Sequence, residues 1–263
     1  MRVRRWISAV AMTAALLGTL ASVAPVTATT PIKGKTVYWR VDRAGVKGLV
    51  TATEIPPTGL MLMFTLWGLR ANGNYGLAGF AETCAAAPSS SLFLRDLTAN
   101  ARGFSWDPVV VAGSVSLIRS LRLRDLDSGT DVLCENTSRF GTGPSDFVGV
   151  VKIKAAGGVR GIGVIDESAV RRVVMAVGGL RAGTEHAIVI RSVGCVSGGR
   201  VLNRWRFTPN GQGRALVDRV VWEPAAARET PSGTGSVDLN AGSLRIKRGT
   251  TGVSCSVPAN RVS

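Results

Sequence analysis

Histidine is nearly missing from this sequence: of 263 residues, His186 alone carries an imidazole. That excludes any site built from several neutral nitrogen donors, and it leaves a hydrolase with one candidate for a base that titrates near neutrality. The segment that would carry a serine nucleophile is missing as well. GTGSV (Gly233 to Val237) and NAGSLR (Asn240 to Arg245) lack the second glycine of a G-x-S-x-G turn. Acids are scarce, 17 against 32 lysines and arginines. Asp166, Glu167, Asp218, Glu223, Glu229 and Asp238 are scattered among basic residues, with no spacing that pairs two carboxylates for acid–base work and no DxDxDG-like calcium loop. An even count of four cysteines in a chain read as exported disfavours a catalytic thiol. No metal or cofactor is expected, and a hydrolase using His186 is the catalytic alternative that stays open. Sustained helical periodicity is absent too, and after Leu20 no apolar run reaches the ~20 residues of a membrane-spanning helix.

What is present begins with an address. Arg2, Arg4 and Arg5 precede an apolar run from Trp6 to Leu20, and Val26-Thr27-Ala28 supplies small residues for cleavage, so residues 1–28 read as a secretory signal peptide. An uncleaved anchor is the competing reading, disfavoured by the short run. Loss of the peptide leaves 29 basic and 17 acidic residues, a formal charge of +12 on a secreted protein. Such a charge favours an anionic cell-wall polymer or lipid surface as partner, with nothing pointing to a specific nucleic acid. The bland alternative is a base-composition bias toward arginine that serves only solubility.

The chain also repeats itself. GLRANGNY (Gly68 to Tyr75) recurs as GLRAGTEH (Gly179 to His186), and a cysteine stands nine residues beyond each segment, Cys84 and Cys195, so both features share an offset of 111. AGVKGLVTATE (Ala44 to Glu54) recurs as GGVRGIGVIDE (Gly157 to Glu167), and LTANARG (Leu97 to Gly103) as FTPNGQG (Phe207 to Gly213). The expected organisation is a lead-in over 29–45, a module over 46–140, a linker over 141–156 marked by GTGPSD, and a second module over 157–263. Four cysteines allow three connectivities, and repeat symmetry favours Cys84 with Cys134 and Cys195 with Cys255.

Within each copy the apolar patterns are short and of period two. Strands are predicted at Leu60 to Trp67, Tyr75 to Ala81, Ala169 to Val177, Ala187 to Val193 and Ala215 to Trp222, separated by Gly, Pro, Asn and Ser. The fold class is therefore all-β, two tandem antiparallel Greek-key sandwiches or barrels, each with one disulfide. Before the last cysteine of each copy, apolar and basic residues alternate: Leu121-Arg122-Leu123-Arg124 and Leu244-Arg245-Ile246-Lys247. Alternation places Arg122, Arg124, Arg245 and Lys247 on outward faces, as a polyanion-binding stripe or as an ordinary solvated sheet face. Trp205, between Arg204 and Arg206, and Trp222, near Arg219, are candidates for stacking on a ligand or for core positions. Asn136-Thr137-Ser138 matches the glycosylation sequon.

The second copy resembles the copper/zinc superoxide dismutase fold family. The resemblance rests on GVRGIGVIDE, the Gly179-Leu180 turn, HAIVIRSVG (His186 to Gly194), CVSGG (Cys195 to Gly199) and GVSCSV (Gly252 to Val257), and it extends more faintly over 44–136. It implies a Greek-key sandwich in which the cysteine after the metal-binding strand pairs with one near the last strand. It also implies a His-x-His pair on that strand, and the matching positions here are Val189 and Arg191, while the first copy reads YGLAGFAETC without a histidine. The family's substrate-guiding arginine falls on Gly252, and on Asp131 in the first copy. A metal-free binding or structural relative is the expectation, with a degenerate dismutase as a further alternative.

Overall fold

The computed structural model of the chain describes residues 35–137, 148–166, 172–191, 195, 201–220, 243–249 and 251–256. The expected signal peptide, the GTGPSD segment and Trp222 lie outside the described residues. The first module consists of β1 (Thr36–Arg43), β2 (Val46–Ile55), β3 (Gly59–Trp67), β4 (Asn74–Phe80), β5 (Phe93–Thr98), β6 (Phe104–Ala112), β7 (Ser120–Asp125) and β8 (Thr130–Asn136). The second consists of β9 (Val148–Lys154), β10 (Arg160–Asp166), β11 (Arg172–Gly178), β12 (His186–Arg191), β13 (Val201–Phe207), β14 (Ala215–Val220), β15 (Ser243–Arg248) and β16 (Thr251–Ser256). Each set forms two antiparallel four-stranded sheets in one Greek-key order: β1-β2-β3-β6 with β5-β4-β7-β8, and β9-β10-β11-β14 with β13-β12-β15-β16. No α-helix occurs among the described residues.

Two boundaries move. The segment 29–45, expected as a lead-in, contains β1, and the segment 141–156, expected as a linker, contains β9. Each is an edge strand of an inner sheet, paired along its length with β2 or β10. The reason lies in how the four sheets stack. In β1, Val37, Trp39 and Val41 enter the first module's core while Tyr38 faces the other way, into a cluster with Leu49, Met63 and Trp67 from the first module and Val148, Val150, Ile162, Val164, Val174 and Ala176 from the second. The inner sheets are thus buried on both faces, so β3 (GLMLMFTLW) and β11 (RVVMAVG) read as nearly continuous apolar runs. Period two persists, but both parities are apolar: odd residues of β11 fill the second core and even ones the contact between modules.

The contact is reciprocal. β3 lies against β10 and β2 against β11, and since β2 corresponds to β10 and β3 to β11, the modules meet like two protomers about an approximate two-fold axis. Two side chains inside it donate hydrogen bonds across or within the contact. The Tyr38 hydroxyl donates to Asp166 Oδ2 at 2.7 Å, and burial followed by that bond holds the phenol far above its usual range. Trp106 Nε1 donates to the Gly161 carbonyl at 3.2 Å, with Lys152 and Arg160 over its ring.

The recurring LTANARG and FTPNGQG segments are the corners beside this contact. Asn100 Oδ1 accepts from the amides of Arg102 and Phe104, and Asn210 Oδ1 accepts from those of Gln212 and Arg214. Gly103 and Gly213 follow with φ of +64° and +72°, and a Cβ on either would sit 2.1 Å from the carbonyl oxygen of Leu69 or Leu180. Only glycine fits such a left-handed, crowded position. The next residues, Phe104 and Arg214, are equivalents that stack on one another across the contact, 5.7 Å from guanidinium carbon to ring centroid.

Candidate functional site

The four cysteines pair within modules, Cys84 with Cys134 and Cys195 with Cys255. Each bond ties the segment after the second strand of an outer sheet to the last strand of the same sheet. In the first module this segment is also tethered by polar contacts. Asn136 Oδ1 accepts from the Cys84 amide at 2.7 Å, and Thr137 Oγ1 donates to the Ile118 carbonyl at 3.0 Å. The first two residues of the apparent sequon thus serve the fold.

On β7 and β15 the expected alternation holds. Leu121, Leu123, Leu244 and Ile246 are fully buried in their cores, so Arg122, Arg124, Arg245 and Lys247 lie on the opposite, outer faces. They do not form one solvated stripe, however. Arg122 is buried: its Nη2 donates to the carbonyls of Thr83, at 3.4 Å, and Ala86, at 2.8 Å, and its guanidinium lies 5.3 Å from the Phe80 ring centroid and 3.8 Å from Asp131. A guanidinium supplies several donors in one plane, and here they hold the disulfide segment over the sheet. Arg124 is exposed and donates to the Gly129 carbonyl. Arg245 stands opposite Cys255 as Arg122 stands opposite Cys134, and it is only half exposed. Burial, then the nearby charge of Arg191, lowers its pKa.

The outer sheets differ in the strand next to the centre. Register sets Arg204, Val189 and Arg245 in one row across the sheet and Arg206, Ala187 and Lys247 in another, with the β12 residue between the two cations of each row. The equivalent rows of the first module are Leu94, Ala78 and Arg122, and Asp96, Gly76 and Arg124. One face thus presents four cations in two rows, with Arg191 farther along β12. The other holds two cations and a carboxylate in its rows, and its exposed apolar residues Leu94 and Leu126 close over Gly76. Among the described residues beside the cationic rows, Glu185 is the acid, 3.2 Å from Arg206 and exposed. Sequence reasoning missed Arg204 and Arg206 because it treated them as flanks of Trp205. That ring packs half-buried against the second core, the second of the two readings open for it.

Other candidate features lead elsewhere. His186 is 2% exposed, its Nδ1 lies 2.7 Å from the Thr184 carbonyl and its ring tilts against Phe207. No hydroxyl nucleophile or carboxylate partner meets it among the described residues, so the arrangement offers no activated nucleophile. The positions matching the His-x-His pair do not fit copper or zinc: Val189 has no donor atom, Arg191 is a cation, and Arg204 and Arg245 flank Val189. A cleft of about 440 Å³ between the modules carries Arg40, Lys47, Arg214 and Arg219, but Asp42 pairs with Arg40 and Lys47, and Asp218 with Arg40. Among the described residues no helix is long and apolar enough to cross a membrane.

No family model and no curated protein matches the chain. A solved structure described as "Crystal structure of tetra-tandem repeat in extending region of large adhesion protein" aligns over 89% of this chain and 69% of its own, at 12% identity and a TM-score of 0.19. At that score the likeness carries no argument.

Proposed function

We propose that the chain is an exported, non-catalytic protein of the cell exterior that binds an anionic envelope polymer or lipid surface through basic sheet faces. The observation that carries this reading is the outer sheet of the second module, whose two rows bring Arg204, Arg206, Arg245 and Lys247 onto one face. Like charges at neighbouring strand positions raise the local potential far more than the same charges dispersed. A disulfide in each module supports an oxidising, extracellular setting. The same reading keeps the resemblance to the superoxide dismutase fold family as a metal-free relationship, supported by the pairing of the cysteine after β4 or β12 with the one on the last strand.

Binding of the purified chain to an anionic wall-polymer fraction, to phosphatidylglycerol vesicles and to a neutral glycan tests this reading across a salt series. With three or four ionic contacts, affinity for the anionic partner is expected to fall about 30- to 100-fold between roughly 50 and 200 mM salt. Preference for the neutral glycan, or an affinity indifferent to salt, would contradict it.

A further inference from the structure

We propose that the outer sheet of the second module, and not that of the first, is the polyanion site, and that it takes a linear polymer along β12 and β13. This rests on the reading above and narrows it. The two copies share strand order, register and disulfide, so equivalent positions can be compared one by one. The stripe seen in the sequence is common to both copies: Arg122 matches Arg245, and Arg124 matches Lys247. Arg122 is committed to holding the Thr83–Ala86 segment, so that position in the first module supplies little outward charge. What separates the copies is the neighbouring strand, where Leu94 and Asp96 of β5 are replaced by Arg204 and Arg206 of β13.

The geometry favours a chain-like ligand. Arg204 and Arg206 are exposed, two residues apart on one face of an edge strand, which sets their Cα atoms about 7 Å apart. Lys247 stands two strands away from Arg206, about 10 Å across the sheet, with Ala187 between them. Ala187 and Val189, between the cations of each row, are only 5% and 3% exposed. The face therefore offers cationic heads over a closed apolar floor, suited to repeated anionic groups along an extended chain. A lipid surface calls for several protruding apolar residues among the cations; this face exposes Val201, opposite Arg191, while the larger exposed pair Leu94 and Leu126 belongs to the other module. Glu185 pairs with Arg206 in the free protein, and because both are exposed a polyanion can displace it.

Long-chain polyphosphate and a polyuronate serve as probes of the phosphate and carboxylate forms of this chemistry, with phosphatidylglycerol vesicles as the lipid arm. Arg204→Ser with Arg206→Ser is compared with Arg119→Ser with Arg181→Ser, two exposed arginines elsewhere, so that both variants lose the same charge. The first pair is expected to weaken polymer binding about tenfold or more near 100 mM salt and to reduce the slope of log affinity against log salt by about two, while the control loses far less. Leu94→Arg with Asp96→Arg, which transplants the β13 residues into the first module, is expected to add a second polymer site. Thermal melts of all variants confirm that they fold. Equal losses in the two serine pairs, or no second site after the transplant, overturn the assignment while leaving polyanion binding intact. Binding to vesicles but not to either polymer overturns the choice of ligand. Failure of the unaltered chain to bind any of the three removes the broader reading instead.

Discussion

Aspartate in place of Val164 is expected to destabilise the folded chain by about 4 kcal/mol or more. Val164 is fully buried in the contact between the inner sheets, between Val150 and Val174 in register, and its side chain faces the first module. A carboxylate there has no cation beside it in the cross-strand pairs, and Asp166, two residues along on the same face, is already a buried acid. The carboxyl must either protonate or force the sheets apart, and both options cost stability. Threonine at the same site is the informative companion. The first copy carries Thr51 at the equivalent position, with its hydroxyl donating to the Met63 carbonyl at 3.3 Å, so Val164→Thr is expected to cost no more than about 1–2 kcal/mol. Urea unfolding of the two variants checks the contrast. Similar small losses would mean that the modules do not share a dry contact.

Removing the first disulfide by replacing Cys84 and Cys134 with serine is expected to cost about 4 kcal/mol, from the entropy of a 50-residue loop released in the unfolded chain. Asn136 and Arg122 still hold the segment through Cys84 N and the Thr83 and Ala86 carbonyls, so the native arrangement persists at low temperature. The loss should therefore appear as a lower unfolding midpoint with little change in the native circular dichroism. A variant that is already unfolded in buffer would show that the polar tethers contribute nothing.

These residues also show how far the sequence could be read. The outer strands announced themselves, because Leu121 and Leu123 face a core while Arg122 and Arg124 face away, and alternation survives in the letters. Inner strands hide the same geometry: Val37-Tyr38-Trp39 is apolar at every position because two cores compete for the segment, so from the letters alone it reads as a lead-in. Cysteine pairing was legible from the repeat alone. The functional face was legible only in part. Position along a strand tells which way Arg122 points, but not that an adjoining segment turns its carbonyls toward it. Arg204 and Arg206 carry the same two-residue spacing as the stripe, yet they share rows with Arg245 and Lys247 only because both strands pair with β12, which no local pattern shows.

The proposed division is between two different faces of one duplicated scaffold, with charge on β13 making the second one a binding site. The most direct measurement is a backbone and arginine side-chain NMR titration of the chain with long-chain polyphosphate. Shifts are expected to concentrate at Arg204, Arg206 and Lys247 and along β12 and β13, with β4, β5 and β7 unaffected. Shifts of equal size on both outer sheets, or centred on the cleft at Arg40 and Arg219, would contradict it.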